Sequence, residues 1–166
     1  MDAMPMNAKL RSTTEIETEA AEMREKGQRI CFTNGCFDLL HIGHTRYLAK
    51  ARSLGDILIV GLNTDASVRR IKGDKRPIIE EERRAEVLGA LACVDRVVLF
   101  DDPAPLGLIR AIVPHVLVKG ADWAESDIIG GDFVTSRGGK VARIALAPDA
   151  STSAIIERIH RRYRTG

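Results

Sequence analysis

Arg29-Ile30-Cys31-Phe32-Thr33-Asn34-Gly35-Cys36-Phe37-Asp38-Leu39-Leu40-His41-Ile42-Gly43-His44-Thr45-Arg46-Tyr47-Leu48-Ala49-Lys50-Ala51-Arg52-Ser53-Leu54-Gly55 decides how the rest of the chain is read. Arg29 to Thr33 is a short apolar run that predicts a buried strand. Thr45 to Leu54 carries its apolar residues at helical spacing and is closed by Gly55. Two histidines, His41 and His44, therefore fall in a strand-to-helix turn at a helix N-terminus. There, free backbone N–H groups and the positive end of the helix dipole favour a bound anion, and the imidazoles add donors to the same oxygens. Gly43 allows the backbone to approach closely. Two surface histidines at an ordinary helix start would give the same tetrapeptide; the flanking strand, Asn-Gly-Cys-Phe-Asp and helix favour the anion-binding reading.

Working outward, strand and helix patterns alternate with short connections, which predicts an α/β fold: a Rossmann-like, doubly wound, five-stranded parallel sheet with helices on both faces. Residues 1–11 read as a flexible tail, and 12–166 as a single domain. A helix over Thr13–Lys26 stops at Gly27 and offers packing or dimer surface. The expected strands are Arg29–Thr33, Ile57–Gly61, Arg96–Phe100, His115–Val118 and Lys140–Leu146. Helices are expected from Asn63-Thr64-Asp65 to Arg70, over Glu80–Leu91, Pro105–Ile112 and Ser151–Arg162.

Charge and composition exclude several classes. The chain has 166 residues, 25 basic and 23 acidic, for a net charge of +2. That balance gives no electrostatic reason to expect nucleic acid or a membrane as partner. The three cysteines, Cys31, Cys36 and Cys93, form no paired framework or Cys-x-x-Cys metal motif, and no apolar run approaches a membrane span or a signal peptide. A reducing cytoplasm is the expected setting, with no protein-bound metal.

In an open parallel sheet the ligand sits beyond the carboxyl ends of the strands. Besides the histidine turn, three motifs fall there. Lys72-Gly73-Asp74-Lys75-Arg76-Pro77 places three cations around a glycine; by itself it could be a solvated loop, but beside a polyphosphate it reads as a lid that neutralises charge. Lys119, Gly120 and Asp122 lie past the fourth expected strand, although Lys119 could cover surface and Asp122 could cap a helix. Ser151, Thr152 and Ser153 open the last helix, where Ser151 serves as an N-cap and all three could line a phosphate cradle.

These motifs, in this order, resemble the cytidylyltransferase-like (HxGH) nucleotidyltransferases, whose members carry a Gly-x-Phe-Asp-x-x-His-x-Gly-His element, a basic loop and an Ile-Ser-Thr-Thr-x-Ile-type helix start. The last reads Ala150-Ser151-Thr152-Ser153-Ala154-Ile155 here. Phe32 to His41, Val60 to Gly73, Arg76-Pro77-Ile78, Leu88 to Leu91 and Val118-Lys119-Gly120 are most similar to the branch that makes ADP-heptose. The resemblance spans almost everything from Thr13 onward and, without a kinase domain, points to the stand-alone form.

The resemblance implies adenylyl transfer from ATP to D-glycero-β-D-manno-heptose 1-phosphate, with release of pyrophosphate, for lipopolysaccharide or capsule assembly. It implies catalytic roles for His41, His44, Lys72 and Arg46. Nucleotide contacts are implied from Thr33, Asn34, Gly35, Cys36, Phe37, His41, Gly43, His44, Lys119, Gly120, Asp122, Ser151, Thr152 and Ser153. Sugar-phosphate contacts are implied from Asp38, Asn63, Lys72, Arg76 and Arg84. Mg2+ would be carried by the ATP phosphates, and the expected assembly is a homodimer. Leu146 stands where the glycerol-3-phosphate cytidylyltransferase branch has an arginine, which favours ATP over CTP. That branch and the GDP-heptose enzymes are the alternatives, and a catalytically silent nucleotide-binding module is a third. A transfer-RNA synthetase fragment is disfavoured, since no Lys-Met-Ser-Lys-Ser-like loop occurs.

Overall fold

The computed structural model describes residues 8–145 and 151–164. In chain order the elements are β1 (Leu10–Arg11), α1 (Thr13–Glu25), β2 (Ile30–Gly35), α2 (Ile42–Arg52), β3 (Ile57–Asn63), α3 (Asp65–Lys72) and α4 (Glu81–Ala90). They continue with β4 (Arg96–Phe100), α5 (Leu106–Ile112), β5 (Val116–Gly120), a 3-10 turn at Glu125–Asp127, α6 (Gly131–Ser136), β6 (Lys140–Ile144) and α7 (Thr152–Tyr163).

The strands form one parallel sheet in the order β1-β4-β3-β2-β5-β6. The expected count of five strands is thus corrected to six. Leu10–Arg11, read from sequence as part of a tail, pairs with Val97–Val98 at the sheet edge. Two residues are too short to carry a period, so only the neighbouring strand could reveal this one.

Alternation along each strand sends side chains to two separate cores. Ile30, Phe32, Ile59, Val98 and Leu117 face α1, α5 and α6, where Ile16, Ala20, Met23, Ile109, Ile112 and Val134 meet them. Cys31, Leu58, Val60, Val97, Val116 and Val118 face α2 and α4, against Tyr47, Leu48, Ala51, Ala85 and Leu88. A sheet covered on both faces needs apolar residues at odd and even positions alike, which is why β3 reads as a continuous apolar run. Helix α1 is therefore packing surface on its inner side. Its start is fixed by a capping box between Ser12 and Glu15. After α2 the chain turns at Gly55, where a Cβ would lie 2.5 Å from the Arg29 carbonyl oxygen. Helix α6 escaped the sequence reading because Gly130-Gly131 and its Phe, Val, Thr and Ser residues have poor helix propensity; burial of Val134 holds it in place.

From β2 the chain moves to β3 and then β4 on one side, and later places β5 and β6 on the other. The order reverses between β2 and β5, so their carboxyl ends, Asn34-Gly35 and Lys119-Gly120, splay apart into a crevice. Among the described residues, no helix is long and apolar enough to cross a membrane.

Candidate active site

A cleft of about 550 Å³ opens at this reversal point. Its wall includes Asn34 to Asp38, His41, Gly43 and His44 from the β2–α2 turn, Lys72 and Arg76 from the basic loop, and Lys119, Gly120, Asp122 and Trp123 after β5. Ser151, Thr152 and Ser153 at the start of α7 complete it. All four motifs thus meet in one cavity.

His41 is the N-cap of α2, and its Nδ1 accepts the Gly43 N–H at 3.1 Å. An imidazole that accepts at Nδ1 carries its proton on Nε2, so His41 is set as a neutral donor. Its ring stacks on His44, with centroids 3.9 Å apart. Phe37 meets His44 edge-on at 5.4 Å and is itself held at φ 42°, a left-handed conformation rare for an aromatic residue. Among the described residues, His44 Nδ1 is the buried side-chain polar atom without a hydrogen-bond partner. An unpaired buried polar atom is costly, which points to a ligand that would satisfy it.

Burial, assisted by the neighbouring His41 and opposed by a hydrogen bond to the Leu39 backbone, lowers the His44 pKa to about 4. Burial also lowers that of His41. The free protein at neutral pH therefore presents two uncharged imidazoles. A titration of the histidine ring protons by NMR should show the His44 midpoint near pH 4 instead of 6.5. Bound polyphosphate should move it upward, because an anion favours the imidazolium. The unfolded chain accepts this proton at higher pH than the folded one, so the His44 contribution destabilises the fold as pH falls from about 6.5 toward 4. A midpoint near 6.5 in the free protein would refute this.

Lys119 sends its Nζ to Asn34 Oδ1, bridging the tips of β5 and β2, and lies 5.8 Å from the Trp123 ring centroid. Burial lowers its pKa to about 8. The Cys36 thiol is raised by burial, against the pull of Lys72, Arg84 and Arg76, and so stays protonated. Lys72 ends α3, exposed at the cleft wall. Ser151 caps α7 by accepting the Ala154 N–H at 3.1 Å, while the Thr152 hydroxyl donates to the Leu39 carbonyl at 3.3 Å.

Several expected site residues have other positions. Thr33 is fully buried and its hydroxyl bonds Tyr47 Oη at 2.8 Å beneath the cleft, so it is support for the wall and not part of it. Arg46 points from the exposed side of α2 and does not line the cleft, because two residues of helix separate it from His44 by about 200°. Arg84, expected at a substrate phosphate, is fully buried instead. It donates to Ile79 O, Cys36 O and Asn63 O at 2.6–2.9 Å and pairs with Asp65 at 2.6 Å.

Asp38 likewise spends its carboxylate within the protein. It pairs with Arg76 at 2.5 Å and accepts the Ile78 and Ile79 N–H groups at 2.9 Å. Burial works to raise its pKa, but those N–H donors and Arg76 prevail and hold it low. The far end of the basic loop is thereby fastened to the histidine turn. Asn63 bonds Ser67 with its amide at 3.0 Å yet still reaches the cleft floor. Leu146 and Ala150 lie outside the described residues.

Tyr47 and the Pro103-Ala104-Pro105 segment also line the cleft and were missed by sequence reasoning. Tyr47 sits one turn after His44, and the prolines follow a strand end, so spacing could have flagged both. Ile128 and Ile129, also in the wall, follow an irregular segment with no period to read.

Comparison with known proteins agrees with this geometry. Residues 32–158 match the model of the cytidylyltransferase-like family. The chain is 50% identical over 161 residues, 97% of its length, to the bifunctional protein HldE of Citrifermentans bemidjiense, and 54% identical over 136 residues to that of Helicobacter acinonychis. It spans about a third of the length of these relatives: 33% and 28%. The lipopolysaccharide core biosynthesis protein of Thermoplasma volcanium superposes with TM-score 0.63 at 29% identity, covering 73% of this chain and 99% of that one. Pantoate-β-alanine ligase from Francisella tularensis shares the fold at 14% identity, with TM-score 0.60 over 95% of this chain and 79% of that one. The histidine turn, the crevice at the sheet's reversal point and the matched span all lead to one conclusion: the chain belongs to the cytidylyltransferase-like family of nucleotidyltransferases.

Proposed function

We propose that this protein transfers the adenylyl group of ATP to D-glycero-β-D-manno-heptose 1-phosphate, forming ADP-heptose and pyrophosphate for lipopolysaccharide synthesis in the cytoplasm. The observation that carries the reading is the convergence of His41, His44, Lys72, Lys119 and the α7 N-terminus on one cleft. Heptose as acceptor is supported by the motifs shared with the ADP-heptose-forming branch and by the HldE and lipopolysaccharide core relatives.

The acceptor phosphate is already ionised at neutral pH, so the reaction requires no protein nucleophile or base. An acceptor phosphate oxygen forms a bond to the α-phosphorus as the bond to the bridging oxygen breaks, and pyrophosphate carries away the electron pair. The protein must align the two anions and offset charge that builds up on the phosphoryl oxygens. His41 and His44 would donate to the α-phosphoryl group. Lys72 would approach from the loop, whose far end Asp38 anchors. The N–H groups at the start of α7 would face the β- and γ-phosphates. Magnesium would enter on the triphosphate; among the described residues, no group of three or more His, Cys, Asp or Glu side chains is placed to hold it.

The test is pyrophosphate release and product formation with heptose 1-phosphate and ATP, CTP or GTP, each below saturation. Triphosphate contacts are common to all three, so turnover over KM isolates the base-dependent contribution. ATP should give the largest value. A larger value with CTP or GTP would transfer the assignment to the cytidylyltransferase or GDP-heptose branch.

A further inference from the structure

Helix α7 runs for 12 residues and buries none of them. Ile155, Ile156, Ile159 and Tyr163 nevertheless form one apolar stripe at i, i+1, i+4 and i+8, with Ile159 50% and Tyr163 80% exposed. Arg158 and Arg162, also four apart, run along one edge of that stripe. A helix this short is marginal in water and depends on packing of its apolar face. Yet its N-terminus supplies Ser151, Thr152 and Ser153 to the cleft.

Elsewhere on the molecule, α4 has a complementary outer face. Glu82 and Glu86, again four apart, form a carboxylate row; Ala90 continues it, and the neighbouring Val87 is 48% exposed. Arg83 on the same side is paired with Glu80 at 3.1 Å. The inner face of α4 carries Arg84, which binds the carbonyls of Cys36 and Asn63 under the cleft. An apolar strip edged by two arginines thus exists on one helix, and an apolar strip edged by two glutamates on another.

We infer that the protein self-associates, with α7 of one copy packed on the outer face of α4 of a second copy, and that this contact fixes the α7 wall of the ATP cleft. The arginine row of α7 meets the glutamate row of α4, and Ile159 and Tyr163 cover Val87. Opposed charge rows set the register while the apolar strips supply the stabilisation. Two such contacts, each copy giving its α7 and its α4, close a dimer with twofold symmetry and leave no open chain of subunits.

Sedimentation velocity and light scattering of the whole protein test the assembly without reference to catalysis. The unmodified protein should have twice the chain mass at micromolar concentration. Arg158→Glu/Arg162→Glu and Glu82→Lys/Glu86→Lys should each be monomeric, with dissociation constants at least tenfold higher. An equimolar mixture of the two variants should regain the dimer mass, since every α7–α4 contact in the mixed pair is again between opposite charges. The part that rests on the proposed function is read separately: the monomeric variants should bind ATP several-fold more weakly, and the mixture should recover. A monomeric parent protein, a dimer indifferent to both charge reversals, or a mixture that stays monomeric would overturn the assembly. Dimer rescue with unchanged ATP affinity would overturn only the coupling to the cleft.

Discussion

Replacing His44 with alanine is expected to lower turnover by roughly 10²–10³-fold, the effect of losing one preorganised donor at an anionic reacting centre. In the free protein His44 is a buried, uncharged imidazole with an unpartnered Nδ1, stacked on His41 and braced by Phe37. Such a ring costs the fold something to keep, since a buried polar atom without a partner is unfavourable. Removing it therefore trades lost packing against a relieved desolvation penalty, and stability should change little. The loss should fall on kcat more than on KM for ATP, because the donor matters most as charge builds on the α-phosphoryl oxygens. Steady-state kinetics alongside thermal denaturation separates the two effects. A folded His44→Ala protein with near-normal turnover would remove His44 from the chemistry.

Arg84→Ala is expected to act on the fold, with a loss of about 3–5 kcal/mol, as when one partner of a buried ion pair is removed. Arg84 is 1% exposed and ties three separate segments together through Ile79, Cys36 and Asn63, with Asp65 as its counter-charge. Truncation leaves those carbonyls and the carboxylate unpaired and opens a cavity. At roughly 2–4 °C per kcal/mol for a chain of this size, the melting temperature should fall by on the order of 10 °C. Scanning calorimetry gives the result directly. A variant that kept its melting temperature and showed only a raised KM for the sugar phosphate would restore the substrate-phosphate role implied by resemblance.

Arg84 shows why sequence and structure diverge. A helical arginine near an anion-binding turn looks the same in sequence whether its guanidinium reaches out to a ligand or inward to main-chain carbonyls. Which way it faces depends on where α4 lands relative to the ends of β2 and β3, a relation between segments far apart in the chain. Asp38 was ambiguous for the same reason. Its carboxylate is used up by Arg76 and the Ile78 and Ile79 amides, about forty residues later, and no local pattern announces such a pairing.

By itself the sequence determined whatever local periodicity and turn chemistry can express. It set the class of fold through buried strands alternating with amphipathic helices, the histidine turn through a strand end, a glycine and a helix start, and the other motifs through their positions after strands. Those signals suffice because they arise from neighbours along one segment, where side-chain period and backbone hydrogen bonding are fixed within a few residues. Only the tertiary structure decided the sixth strand at Leu10–Arg11, the withdrawal of Thr33, Arg46 and Arg84 from the cleft, the fastening of the loop by Asp38, and the depressed pKa of His44. Each of these is a burial or pairing between distant segments, and desolvation has no magnitude until the sheet has closed around the group.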